Sequence, residues 1–183
     1  TLFISSRENE PSGNTTEEEV FKLNLDTNQL IRKNTSPGGF ITKQLKIIND
    51  QLVSIGGTEL KIYDLNLQNE PSSIAYQNNF NLSKYGVASD DTNTYIIGGY
   101  RVDTSTRENT KIHKLNINSG EIFEEIIDTP ETMVGASGAV SNNKLYVFGG
   151  AIFENFTEGT NKIYIYPLDN SQNYEELSMS VTA

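Results

Sequence analysis

Cysteine and tryptophan are absent from this 183-residue chain; histidine occurs once, methionine twice and proline five times. Without cysteine there is no disulfide framework, no thiolate nucleophile and no Cys-based zinc site, so the fold must stand on packing alone. Positive charge is scarce as well. Fourteen Lys plus Arg face 24 Asp plus Glu, a formal net charge of −10, and such a chain repels the phosphate backbone of nucleic acids and anionic membrane surfaces. Nucleic acid is therefore not an expected partner. Long apolar runs are missing too: the longest, Leu145 to Phe153, covers nine residues, against the roughly 20 needed to cross a bilayer as a helix. The chain opens at Thr1 with neither an initiator Met nor a basic-then-apolar signal segment, which leaves it processed, trimmed or a piece of something longer. A cytoplasmic location is the expectation, with a secreted one left open. Four Asn-x-Ser/Thr sequons, at Asn14, Asn34, Asn81 and Asn155, do not decide the matter, because a chain this rich in Asn, Ser and Thr produces about that many by chance.

What is present is repetition. Three segments share one layout, an apolar run stopping at a glycine pair: Gln51-Leu-Val-Ser-Ile-Gly-Gly57, Asn93-Thr-Tyr-Ile-Ile-Gly-Gly99 and Lys144-Leu-Tyr-Val-Phe-Gly-Gly150. A fourth, Leu2-Phe-Ile-Ser-Ser6, fits with Ser at both glycine places. The first residue of each pair falls at 5, 56, 98 and 149, spacings of 51, 42 and 51 residues. Each segment is followed by a second apolar strand, Val20–Leu25, Ile62–Leu67, Ile112–Ile117 and Ile163–Leu168, and then by a third at Leu30–Lys33, Ser73–Gln77, Ile122–Ile126 and Tyr174–Ser178. The strands alternate apolar and polar residues and favour Ile, Val, Tyr and Phe, as half-buried antiparallel strands do. Glycine pairs at their ends permit positive φ and close backbone approach. No amphipathic helix stands out, so the expectation is an all-β domain over 1–183 with approximate repeats 1–35, 36–78, 79–128 and 129–183.

These residues resemble the Kelch repeat, whose mark is an apolar run ending in Gly-Gly with an aromatic on the next strand. The likeness is greatest over Gly135–Gly150 followed by Asn161–Tyr166. It departs from the family in having no Trp; Phe21, Tyr63, His113 and Tyr164 take the aromatic place. The resemblance implies a β-propeller of four-stranded antiparallel blades. The first copy enters at its second strand, and Ser180-Val-Thr-Ala183 resembles the innermost strands Gly86–Ser89 and Gly138–Ser141. Two readings follow, a ring closed by the C-terminal strand or part of a larger propeller, the second being favoured because repeat arrays need complete neighbours. An incomplete propeller would expose a blade edge and self-associate.

Candidate chemistry is thin. His113 lies at the aromatic packing place of its repeat, and no second His or any Cys completes a zinc site around it. A nucleophilic triad would need a nucleophile-elbow sequence, which is absent. The carboxylate pairs Asp90-Asp91, Glu124-Glu125 and Glu175-Glu176 point to opposite strand faces or sit in turns, so they read as solvated rims rather than a glycosidase pair. Glu17-Glu18-Glu19 reads as a solvated loop end, and none of these acids matches a calcium loop. No catalytic residue, metal or cofactor is implied, and the chain is expected not to be an enzyme.

The connections after the glycine places carry more signal, because the frame repeats while they vary. In the second copy the connection is only Thr58-Glu59; elsewhere it runs from Arg7 to Thr16, Tyr100 to Thr110 and Ala151 to Asn161. Tyr100, Arg101, Arg107, Phe153 and Phe156 are the candidate partner-binding residues, since aromatic and Arg side chains dominate binding hot spots. The leading expectation is a non-enzymatic interaction module or scaffold that binds another protein through the loops of one face. Two alternatives stay open by resemblance: a propeller enzyme acting on a small sugar or sugar acid, in the manner of a mutarotase, and a secreted sugar-binding propeller. A copper oxidase of this architecture is excluded by the missing Cys and the single His.

Overall fold

The computed structural model describes residues 1–7, 18–35, 44–56, 59–77, 82–90, 93–101, 109–131, 133–152, 159–169 and 173–179. Within them the chain is all β, divided into two compact units, Thr1–Ala75 and Tyr76–Ala183.

The first unit holds two sheets. β1 (Leu2–Arg7), β2 (Glu18–Leu23) and β3 (Leu30–Thr35) form a three-stranded antiparallel meander. β4 (Gln44–Ile48), β5 (Gln51–Ile55), β6 (Glu59–Tyr63) and β7 (Ser72–Ala75) form a four-stranded one in sequence order. Asn49 and Asp50 join β4 to β5 with φ of 50° and 58°, the pair of left-handed residues that a two-residue hairpin needs to match strand twist. Period-two alternation then sends Leu45, Leu52 and Tyr63 to one face, where they pack with Val20, Phe3 and Ile31 from the meander.

The second unit repeats the plan twice. β8 (Leu82–Ser83) leads into β9 (Gly86–Ser89), β10 (Thr94–Ile97), β11 (Tyr100–Arg101), β12 (Lys111–Leu115) and β13 (Ile122–Asp128). β14 (Met133–Val134) leads into β15 (Ser137–Ser141), β16 (Lys144–Phe148), β17 (Ala151–Ile152), β18 (Lys162–Pro167) and β19 (Glu175–Ser178). The four-stranded sheets are β9-β10-β12-β13 and β15-β16-β18-β19, and two short ladders, β8 with β11 and β14 with β17, stand beside them. Asn142 and Asn143, at φ 49° and 56°, make the β15–β16 hairpin as Asn49 and Asp50 do in the first unit.

One sheet face of the third repeat, Ala88, Tyr95, Ile97, Ile112 and Ile127, packs on Leu145, Val147, Tyr164 and Tyr166 of the fourth. Burial of side chains this size stabilises by about 1.5–3 kcal/mol each. Close approach depends on Gly138: a Cβ there would collide with Ile97 Cδ1 and lie 3.2 Å from that of Ala88.

Strand pairing adjusts the repeat alignment read from sequence. Phe21, His113 and Tyr164 lie opposite Ile4, Ile96 and Val147, whereas Tyr63 lies opposite Leu52 and the equivalent place is filled by Lys61, opposite Ser54. Glu59, read from sequence as part of the connection, already belongs to β6, so only three residues separate β6 from β5 and it pairs early, and Tyr63 takes the place of Leu23, Leu115 and Tyr166. Asx turns follow the same offset, with Asn24, Asp64 and Asn116 accepting from backbone N–H groups two residues on. In the first repeat the pairing of Ile4 with Phe21 puts Ser6, not Ser5, at the first glycine place.

Candidate functional site

The glycine ends of the two sheets in the second unit build a surface from backbone. Gly98 and Gly99 have φ of 58° and 86°, Gly149 and Gly150 of 69° and 90°, values in the left-handed region that glycine alone enters freely. Past Gly98-Gly99 the chain runs on into β11, whose Tyr100 and Arg101 pair with Ser83 and Leu82 in the register already set by β9 and β10. Past Gly149-Gly150 it does the same into β17, whose Ala151 and Ile152 pair with Val134 and Met133. Each long connection thus leaves from a short ladder formed with the segment that enters its own innermost strand.

The two repeats are tied together at this end. Gly99 N–H donates to the Met133 carbonyl at 2.7 Å, and Gly135 N–H donates to the Lys84 carbonyl at 2.6 Å. A Cβ at Gly98 would run into the Met133 carbonyl, and one at Gly150 would lie 3.1 Å from both Ala136 N and the Val134 carbonyl. Glycine here allows backbone to pack on backbone, which is what holds the roots of two successive connections beside one another.

Asn109 fixes the floor from beneath. It is buried, and its Nδ2 donates to the Gly98 carbonyl at 2.6 Å and, more weakly, to that of Lys111 at 3.4 Å. Those two bonds orient the amide, so its Oδ1 faces His113 Nε2 at 3.3 Å and the Nε2 carries the hydrogen. The half-buried histidine therefore braces a turn through Asn109, in addition to the aromatic packing expected of it.

Of the candidate binding residues, Tyr100 is half-buried with Lys84 Nζ 5.9 Å from its ring centroid, a cation–π distance. Arg101 neighbours it on β11 and its backbone pairs with Leu82. Arg107, Phe153 and Phe156 lie outside the described residues, as do Asp91 and Ser180–Ala183. Lys84, Asn109 and Gly135 are additions that sequence reading did not single out. Contacts between repeats mark Lys84 and Gly135, and bonds within its own repeat mark Asn109, although Lys84 and Met133 both stand just ahead of an innermost strand.

Charged groups elsewhere are engaged locally. Glu175 and Glu176, on opposite faces of β19, meet Lys144 at 3.3 Å and Lys162 at 3.2 Å, exposed pairs of small energetic weight. Tyr164 donates its hydroxyl to Glu131 Oε1 at 2.8 Å. Burial, followed by that bond and the Glu131 charge, pushes the Tyr164 phenol well above its ordinary range. Burial does the same to Tyr166. Asp64 is held below the usual carboxylate range, chiefly by the Asn69 N–H. Among the described residues no three His, Asp or Glu side chains gather into a metal-holding group, and no helix is long and apolar enough to cross a membrane.

The fold is an all-β one of successive antiparallel sheets, four-stranded in three of the cases described. No family model matches the sequence, and no curated protein does. Solved structures do match: the chain is similar to YjhT, a propeller-like protein, at 13% identity and a TM-score of 0.69, over 97% of this chain and 68% of that one. That likeness is one of fold.

Proposed function

We infer that this chain is a Kelch-type propeller module, non-enzymatic, that binds another protein through the connections leaving its glycine ends. One observation carries the reading. In two successive repeats the connection starts from a backbone ladder on a left-handed glycine pair, and the Gly99–Met133 and Gly135–Lys84 bonds lock the two roots together. A rigid frame beneath connections of variable length and sequence is how a scaffold acquires a recognition face. Tyr100 beside Lys84 supplies an aromatic and cationic anchor of the kind that dominates interfaces. Arg101, Arg107, Phe153 and Phe156 complete the proposed set.

The test is affinity capture with the parent chain and with a variant carrying Ala at Tyr100, Arg101, Arg107, Phe153 and Phe156, circular dichroism first showing both equally folded. A second variant, Phe148→Glu with Leu177→Glu, changes a different surface. A protein held by the parent and by the second variant but lost by the first supports the reading. Capture that the first variant leaves unchanged removes this face as the site, and binding of small sugars becomes the next screen.

A further inference from the structure

Three of the nine tyrosines meet in the fourth repeat. Tyr164 and Tyr166 stand two residues apart on β18, on the face that packs against the third repeat, and are 1% and 0% exposed. Tyr174, immediately before β19, lays its ring against both: the centroids are 5.6 Å apart in each case, with interplanar angles of 75° to Tyr164 and 43° to Tyr166. These are ordinary contacts of packed aromatic pairs. Tyr174 itself is 41% exposed, so a reagent in solution reaches one ring of the cluster directly and the other two through it.

The two buried phenols share the same ring contact but differ at the hydroxyl. Tyr164 donates to Glu131 Oε1 at 2.8 Å, whereas the Tyr166 hydroxyl has no hydrogen-bond partner among the described residues. That difference decides which of them can be oxidised. A phenol that loses an electron must also lose its proton, and a buried one passes it to a group already in contact; a positioned acceptor contributes about 10²–10⁴-fold to such a step. Glu131 is that acceptor for Tyr164. Lys162 Nζ lies 6.0 Å from the Tyr164 ring, but its charge is met by Glu176 at 3.2 Å. With neither Cys nor Trp in the chain, one-electron oxidation falls on tyrosine.

We propose that Tyr164 and Tyr174 form a site of oxidative cross-linking, where a one-electron oxidant of the kind a haem peroxidase or a high-valent metal complex generates joins the two rings as dityrosine, with Glu131 taking the Tyr164 proton. Two oxidations are needed. In the first, Tyr174 loses an electron to the oxidant and its proton to water; it then recovers an electron from Tyr164 and a proton from water, while the Tyr164 proton passes to Glu131. In the second, Tyr174 is oxidised again. The two phenoxyl radicals join through ring carbons ortho to oxygen, and the hydrogens on those carbons move to the oxygens. One C–C bond forms, and two electrons and two protons leave. The product ties β18 to the start of β19, and Tyr166, at the same ring distance, is left out.

Photo-oxidation of the whole chain with a tris(bipyridyl)ruthenium complex and persulfate tests this, read by dityrosine fluorescence of the monomer band and by fragment-ion sequencing of the tryptic peptide that begins at Ile163, which holds all three rings. The expected product is a monomer lacking two hydrogens, with Tyr164 joined to Tyr174. Glu131→Gln keeps an acceptor oxygen beside the Tyr164 hydroxyl but no base, and should lower the yield of that cross-link by roughly tenfold or more. Tyr166→Phe should leave the yield unchanged. Should Glu131→Gln depart from the parent in circular dichroism, the assignment in the parent alone still decides between Tyr164 and Tyr166. A parent in which Tyr174 is joined to Tyr166, or to neither, overturns the proposal, as does a Glu131→Gln chain that folds like the parent and cross-links in full.

Discussion

Gly98 and Gly149 occupy the same place in consecutive repeats and share the same left-handed backbone, with φ of 58° and 69°, yet alanine should be tolerated very differently at the two. An L-residue in that conformation costs about 1–2 kcal/mol at either position. At Gly149 no described residue lies within 4 Å of the added methyl, so the cost ends there. At Gly98 the methyl collides with the Met133 carbonyl, and Met133 C and Cβ follow at 3.1 and 3.2 Å. That carbonyl accepts the Gly99 N–H, and forcing it aside leaves a buried donor unpaired, a further ~1–3 kcal/mol. Gly98→Ala should therefore cost about 2–5 kcal/mol and Gly149→Ala about 1–2. With a urea m-value of ~2 kcal/mol/M, the midpoints fall by about 1–2.5 M and about 0.5–1 M respectively. The comparison is made at concentrations where the chain is monomeric, with hydrogen exchange of the Gly99 amide as a local readout. Equal midpoint shifts, or a Gly99 amide as protected in Gly98→Ala as in the parent, would refute the reasoning.

Asn109→Ala removes the amide that holds the Gly98 carbonyl; a loss of about 2–3 kcal/mol is expected, and a double-mutant cycle with His113→Gln should be non-additive, since the ring acts through the same amide. Tyr164→Phe leaves Glu131 without its phenol donor and should cost about 1.5 kcal/mol by thermal or urea unfolding, with a cost near zero counting against the bond. Burial raises both Tyr164 and Tyr166 above the ordinary phenol value of 10.0. The unfolded chain therefore ionises first: their contribution is fully present below pH 10 and is lost as pH rises past it, a slope that Tyr166→Phe should flatten in alkaline denaturation. Asn143→Gly relieves a left-handed residue in the β15–β16 hairpin and should raise stability by about 0.5 kcal/mol, while Asn143→Val lowers it by about 1–2.

The strands and hairpins were legible because their signals are local. Alternation with a period of two gives half-buried strands, Asn-Asp and Asn-Asn give left-handed hairpin turns, and each glycine pair ends an inner strand. Exact pairing was less so. Tyr63 aligns with His113 by sequence, but only three residues separate β6 from β5, too few for the register of the other repeats, so Lys61 takes the aromatic place. Pairing is decided by connection length and by the partner strand together, and neither appears in a single repeat's pattern.

The candidate surface divides the same way. Tyr100 and Arg101 could be picked out as an aromatic and a cation directly after a glycine pair, since composition at a fixed frame position is visible in the chain. Lys84, Met133 and Gly135 could not, because they matter through carbonyls and amides contributed by a neighbouring repeat, nor could Asn109, which acts on a backbone carbonyl eleven residues back. By itself, then, the sequence determined the all-β character, the repeat and the absence of cysteine chemistry. These follow from residue type and spacing along one strand. Tertiary structure alone decided that Gly98 is crowded by the Met133 carbonyl and that the Ala88, Tyr95 and Ile97 face is covered by the fourth repeat. Both depend on whether another sheet lies against them, a contact between residues far apart in sequence that no local pattern encodes.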